Sequence, residues 1–281
     1  MAAVSQGRMS RRLLVDRIIK IACIVLAVIA IALLFWILFT LVYNGVSALR
    51  PTVFTNDAYG RPAGLANAIL GSLIQVGLGT LIATPIGILA GTYLAGQPKG
   101  AALANTIRFI NDVLLSAPSI LIGLFIYTVM VIPMGFSGLA GSISLAIIVL
   151  PVVLRATEDM LRLLPVQLRE AAFALGASDW TVTSTILWRA ARAGILTGLL
   201  LAIARAAGET APLLFTALGN PQISTNLLTE MATLPVQIYN LTLSPDSASI
   251  ALAWAGALII TVGVLVLNIS SRLIIAMGQR K

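Results

Sequence analysis

Residues 194–217 read GILTGLLLAIARAAGETAPLLFTA. The stretch has the length and apolar content of a membrane span, for which about 20 residues suffice. Two charges interrupt it, Arg205 and Glu209. An arginine near the middle of a span carries a cost of about 2.5–3.5 kcal/mol on insertion scales. The two residues are four apart, so they share a helical face and can pair. Intramembrane charges face a bundle interior or a water-filled path. The stretch therefore points to a helical membrane protein, and the pair is the first candidate for its functional site. The alternative is an intrahelical pair that only makes insertion tolerable.

The rest of the chain agrees with a membrane setting. Of 281 residues, 59% are hydrophobic and 10% charged, whereas a soluble domain carries about 25% charged residues. The net charge of +8 is not a nucleic-acid stripe, because the basic residues cluster between apolar runs. Cys23 is the single cysteine, so no intrachain disulfide forms. Histidine is absent, which removes the commonest metal ligand and the usual proton shuttle; no metal site is expected. The basic start (Arg8, Arg11, Arg12, Arg17, Lys20) and the apolar run 18–43 suit a retained first span. That run is far longer than the ~7–15 residues of a signal core.

Six spans are expected, near 18–43, 67–95, 110–132, 138–156, 193–217 and 249–275. The fold class is all-α, polytopic. Fifteen of the eighteen Lys and Arg fall in the N-terminus, the loops 97–109 and 155–192, and the C-terminus. The positive-inside rule places both termini in the cytoplasm. Residues 1–17 then form a cytoplasmic segment, and 18–281 a six-span domain with a cytoplasmic loop at about 157–192. Outside, the segment 218–248 is expected to hold a short helix within 224–240, capped by Thr225-Asn226 before LLTEMATL. Pro85, Pro118, Pro151 and Pro212 are helix breakers within spans, and a kink at Pro212 would open a path beside the charge pair. Gly87-x-x-x-Gly91 and Gly194-x-x-x-Gly198 permit close helix packing.

The cytoplasmic loop contains REAAFALGASDW, residues 169–180. Pro165 suits a first helical turn, Gly176 a C-terminal cap, and Ser178 or Asp179 the start of the next helix. A short helix of small residues facing the cytoplasm is a docking knob. Glu170-Ala171-Ala172, three residues, Gly176, nine residues and Ile186 resemble the EAA loop of ABC importer permeases. In that family the loop docks in a groove of a cytoplasmic ATPase, which implies docking roles for Glu170, Ala171, Ala172 and Gly176. One departure is that the family often continues Leu-Pro where this chain has Leu187-Trp188-Arg189.

Arg205-Ala206-Ala207-Gly208-Glu209-Thr210-Ala211-Pro212 resembles the corresponding span of phosphate-specific importers, in their PstA-type permease subunits. With the EAA loop, the resemblance covers essentially the whole chain. It implies the type I importer (MetI-like) architecture, a prokaryotic plasma membrane, and import of inorganic phosphate by alternating access. It also implies a PstC-type partner permease, a PstB-type ATPase dimer and a PstS-type binding protein outside.

Phosphate chemistry suits the residues. Arg offers a permanently charged planar fork for an oxyanion, so Arg205 is one stop on the anion's route. Glu209 holds Arg205 between substrates and competes for it, since a stop that binds too tightly blocks exit. Arg155 is either an inner-mouth contact for the anion or a topogenic charge. Glu158, Asp159 and Arg162 read as a solvated face or partner contact. No GxxxxGK[ST] loop is present, so the chain is not expected to hydrolyse ATP; no cofactor is expected on it, with ATP and Mg on the partner. The competing classes are a permease for another oxyanion, an ion-coupled secondary transporter using Glu209, and a membrane scaffold.

Overall fold

The structure is a computed structural model that describes residues 2–58, 60–98 and 100–278. Lys99, Arg280 and Lys281 of the basic count lie outside the described residues, as do the side chains of Arg8, Arg11 and Arg272. The chain is built from helices: α1 (Ala2–Ala48), α2 (Pro51–Thr55) and α3 (Ala66–Gly96). Next come α4 (Ala102–Ser116), α5 (Ser119–Met134) and α6 (Gly138–Arg162). The rest are α7 (Val166–Ala174), α8 (Asp179–Ala207), α9 (Ala211–Thr216), α10 (Leu234–Thr242) and α11 (Ser247–Gly278). Among the described residues, five helices are long and apolar enough to cross a membrane, and six spans result if the bent pair α4–α5 counts as one.

That pair takes the place of the expected span 110–132, which is broken at Pro118. The chain turns by 102° between α4 and α5. Pro118 causes the turn: it has no N–H to donate, and it drives Ala117 out of the helical region. Ala117 sits at φ −66°, ψ 134° and Pro118 at φ −58°, ψ 130°, both extended.

Helix α6 is the centre of the bundle, packed on one side by α3 and on another by α8. Small residues set both approaches. A Cβ at Gly87 would lie 3.0 Å from Val153 Cβ, and one at Gly91 2.7 Å from Thr157 Cβ. Across α6, a Cβ at Gly194 would overlap Met160, and one at Gly198 would overlap Ala156. Both small-residue motifs are thus packing devices for α6. The shared core holds Ala83, Leu145, Val149, Val153, Ala202 and Leu213.

The 218–248 segment departs from the expected helix at LLTEMATL. Residues 217–233 are extended or turning, and the helix begins only at Leu234. The backbone of this segment is engaged elsewhere. Gly138 N–H donates to the Thr229 carbonyl at 2.9 Å and Leu139 N–H to Leu227 at 2.8 Å, which satisfies donors that the first turn of α6 leaves orphaned. From α3, Asn67 Nδ2 donates to the Asn220 carbonyl at 2.7 Å and Gln75 Nε2 to Met231 at 3.2 Å. Ser72 Oγ accepts from Leu234 N–H at 2.7 Å. Capping α6 and meeting α3 outweighs local helix propensity.

The loop drawn at about 157–192 is also largely helix. Residue 157 onward continues α6 to Arg162, and α8 starts at Asp179. The connections around α7 are residues 163–165 and 175–178.

Candidate functional site

The stretch 194–217 is not one continuous helix. Helix α8 ends at Ala207, Gly208 to Thr210 form the break, and α9 starts at Ala211. Pro212 sits in the first turn of α9, where its missing N–H is tolerated. It therefore opens a second helix after a break, instead of kinking a single one as expected. Gly208 N–H turns back to the Arg205 carbonyl at 3.1 Å and Glu209 N–H to Ala206 at 3.2 Å.

The depth of this break follows from the packing register. Gly194 meets Met160 and Gly198 meets Ala156, so α8 runs antiparallel to α6. Further along, Arg205 comes beside Ile148 and Pro151, and the three line a narrow crevice with Ala117 and Ser119 of the α4–α5 bend. Residues 148–151 are near the middle of the 25-residue α6, whose length is about 37 Å at ~1.5 Å per residue. The guanidinium thus lies at mid-bundle depth, although it occupies the last turn of its own helix. A positive charge there is also favoured by the C-terminal end of the helix dipole.

Arg205 Nε meets Glu209 Oε1 at 3.4 Å, with the arginine side chain 45% exposed and the glutamate 15%. The expected pair exists, but it is a single long contact that leaves most of the guanidinium's donors uncommitted by Glu209. Arg155 repeats the arrangement. Its Nε meets Asp159 Oδ2 at 3.1 Å, and its Nη1 approaches Asp112 Oδ1 of α4 at 3.8 Å. Arg155 is one turn from Pro151, about 6 Å further along α6, and is 48% exposed. It lies two turns inside α6, not at a span end. Each arginine is therefore held by a carboxylate four residues later, in the order Arg205, Arg155 along α6.

Glu158 contradicts the expectation of a solvated face, because its side chain is only 3% exposed. Its Oε1 accepts from Arg108 Nε at 2.8 Å and from Arg162 Nη2 at 3.1 Å. Both Nη2 groups also reach the Leu94 carbonyl near the end of α3, at 2.9 and 3.2 Å. Spacing within the α6 segment could not reveal this cluster, since Arg108 comes from 50 residues away. Asp112 was missed for the same reason.

The segment expected to dock folds as the residue pattern suggests: helix α7, a glycine cap and the start of α8. Gly176 adopts φ +78°. Its N–H donates to Phe173 at 2.9 Å and that of Ala177 to Ala172 at 3.2 Å, the double bond of a Schellman cap. Ser178 Oγ then accepts from Thr181 N–H at 3.3 Å to start α8. Glu170, Ala171 and Gly176 are exposed, whereas Ala172 is buried and seats the helix. Leu163, Val166, Leu175 and Trp180 are exposed around it, an apolar surface of the kind that interaction sites present. The departure at Leu187-Trp188 has a structural use. The Trp188 indole donates to Thr92 Oγ1 of α3 at 3.0 Å and stands edge-on to Trp180 at 5.9 Å.

Comparison with known proteins gives this arrangement a class. Residues 83–276 match the family described as binding-protein-dependent transport system inner membrane component. The phosphate transport system permease protein PstA of Haemophilus influenzae is 53% identical over 249 residues, covering 88% of each chain. The protein of that name from Xylella fastidiosa strain Temecula1 is 45% identical over 277 residues, 97% of this chain and 96% of that one. A probable PstA of Methanocaldococcus jannaschii is 35% identical over 255 residues, 89% of this chain and 90% of that one. In fold, the inward-facing MetNI methionine ABC transporter matches with a TM-score of 0.62 at 17% identity, covering 76% of this chain and 95% of that one.

The MetI-like bundle and these relatives define a multi-pass membrane permease. The chain belongs to the family of binding-protein-dependent transport system inner membrane components, and within it to the PstA-type permeases.

Proposed function

We propose that this chain is the transmembrane permease subunit of an ATP-driven importer that moves inorganic phosphate into a prokaryotic cell across its plasma membrane. The observation that carries the reading is Arg205. It is half-exposed at mid-bundle depth, beside a break in the backbone. Irregular backbone at membrane depth is tolerated only where protein covers it or water reaches it. Phosphate would take the guanidinium from Glu209, pass to Arg155 in exchange for Asp159 and Asp112, and leave toward the cytoplasm. Each stop is balanced by an acid that reclaims the arginine, so neither holds the anion too strongly.

An ATPase and an extracytoplasmic binding protein complete the machine, as the family implies. The ATPase dimer, of PstB type, seats α7 through Glu170, Ala171 and Gly176; ATP and Mg are bound there, and this chain carries no cofactor. A PstC-type permease forms the other half of the pathway, and a PstS-type protein delivers phosphate. With both termini cytoplasmic, the α6–α7 end of the bundle faces the cytoplasm. The names of the relatives favour this reading over a proton-coupled carrier using Glu209.

The test is ATP-dependent uptake of radiolabelled phosphate into vesicles holding the assembled complex, native against Arg205→Gln. Collapse of uptake with assembly and ATPase docking intact supports the pathway. Unchanged uptake removes Arg205 from it. Uptake of another oxyanion in place of phosphate by the native complex keeps the class and removes the substrate.

A further inference from the structure

Glu158 is a buried carboxylate that the transport pathway does not use. Its Oε2 is buried without a hydrogen-bond partner, while Oε1 is shared by two guanidinium groups. A buried charge cluster contributes little net stability over an apolar replacement of the same volume, so its placement needs another reason.

The cluster joins three helices at one level. Arg108 belongs to α4, Glu158 and Arg162 to α6, and the Leu94 carbonyl to α3. Arg108 Nη1 also bonds Asn105 Oδ1 at 3.1 Å, which fixes the guanidinium plane on α4. Arg162 is the last residue of α6, and three residues separate it from the docking helix α7. On the other side, α4 runs nine residues from Arg108 to Ala117, about 14 Å, and ends at the bend that walls the Arg205 crevice. The path from α7 to α4 is therefore short, and among the described residues the buried polar link between α4 and α6 is Glu158 with Arg108. The more distant Arg155–Asp112 approach is exposed and 3.8 Å long, a contact of small worth.

We infer that Glu158 is a positioning residue for transport: it carries displacement of the docking helix through Arg108 to α4, and so to the bend beside Arg205. This rests on the ATP-driven importer reading. Two guanidinium groups held by one oxygen and one carbonyl tie α4, α6 and α3 together with directional bonds, in addition to the apolar packing of Ala104 against Leu154 and Leu94.

The experiment places spin labels on α4 and α8, at Ser116→Cys and Thr197→Cys, both exposed, with the exposed Cys23 replaced by serine. The label separation is measured in the assembled complex with and without ATP, beside phosphate import per ATP hydrolysed. The native background should show an ATP-dependent change in separation. In Glu158→Gln the change should vanish and the import-to-hydrolysis ratio fall at least tenfold, with ATPase docking retained. A label change that persists in Glu158→Gln overturns the inference, as does a fall of import and hydrolysis in step. So does an α4 that does not move in the native complex. If Glu158→Gln fails to assemble, Arg108→Lys decides the matter. It keeps the charge but loses the fork that reaches Glu158, Asn105 and Leu94 together, and a normal label change there overturns the inference. A native complex whose labels move but which imports no phosphate removes the substrate reading and leaves this one standing.

Discussion

Gly123 of α5 lies so close to Pro212 of α9 that a Cβ on the glycine would sit 2.6 Å from the proline Cα. Helix α9, which follows the break, and α5, which lines the Arg205 crevice, are thus closely packed at this point. Gly123→Ala must push α9 away, because the obstacle is backbone. Overpacking of this kind costs about 1–3 kcal/mol. The expected result is a lower thermal midpoint of the purified complex, with phosphate import reduced more than ATPase docking. Docking measured by co-purification is the control.

Arg205→Lys separates charge from geometry. The ammonium keeps the positive charge but loses the planar fork. Hydrogen bonds to charged groups are worth about 1.5–3 kcal/mol, so import should fall roughly tenfold to a hundredfold. The companion change Glu209→Gln removes the competitor for the guanidinium. It should lower KM for phosphate and lower turnover together, because the anion is held longer. Initial rates of phosphate uptake over a concentration series check both, and a raised KM in Glu209→Gln would contradict the competing-carboxylate role.

Gly176 stands at φ +78° between the docking helix and α8. An L side chain there is strained by about 1–2 kcal/mol. Gly176→Val should weaken ATPase binding about fivefold or more, while Gly176→Asn, which tolerates this region better, should weaken it less. Titration of the ATPase onto the permease in detergent reads the order.

Asp246 caps α11. The Ser249 N–H and hydroxyl and the Ala248 N–H hold its carboxyl below the usual carboxylate range. A carboxyl with a depressed folded-state value binds its proton more readily when unfolded. Its contribution is complete above the unfolded value of about 3.9 and is lost as pH falls through the lower folded value. Asp246→Asn retains an acceptor at every pH. The thermal midpoint of the native complex should exceed that of Asp246→Asn at pH 7, and the gap should close or reverse near pH 3.

Local chemistry made much of this legible in the residues. Apolar runs located the spans, Gly176 and Ser178 closed and opened helices where their backbone preferences place them, and the spacing of Arg205 and Glu209 gave their pair. Three features were hidden because they depend on distant partners. The bend at Pro118 needed to be known as a 102° turn and not a mild kink, and proline alone permits either. The helix expected to start at LLTEMATL begins only at Leu234, because α6 takes the carbonyls of Leu227 and Thr229. Glu158 looked exposed on its own helix because its cover, Arg108, arrives from α4. Arg205 combined both cases: its charge was evident, but its position at a helix end at mid-depth came only from the register of α8 on α6.

The segment 217–233 has its main chain fastened to the first turn of α6 and to side chains of α3. External loops ordinarily accept changes of length. Here one added residue would shift Leu227 and Thr229 out of register with Gly138 and Leu139. An epitope or fluorescent tag used to track this protein therefore belongs at 243–245, in the turn between α10 and the Asp246 cap of α11. The 217–233 segment, although it looks like a spacer, has a fixed length.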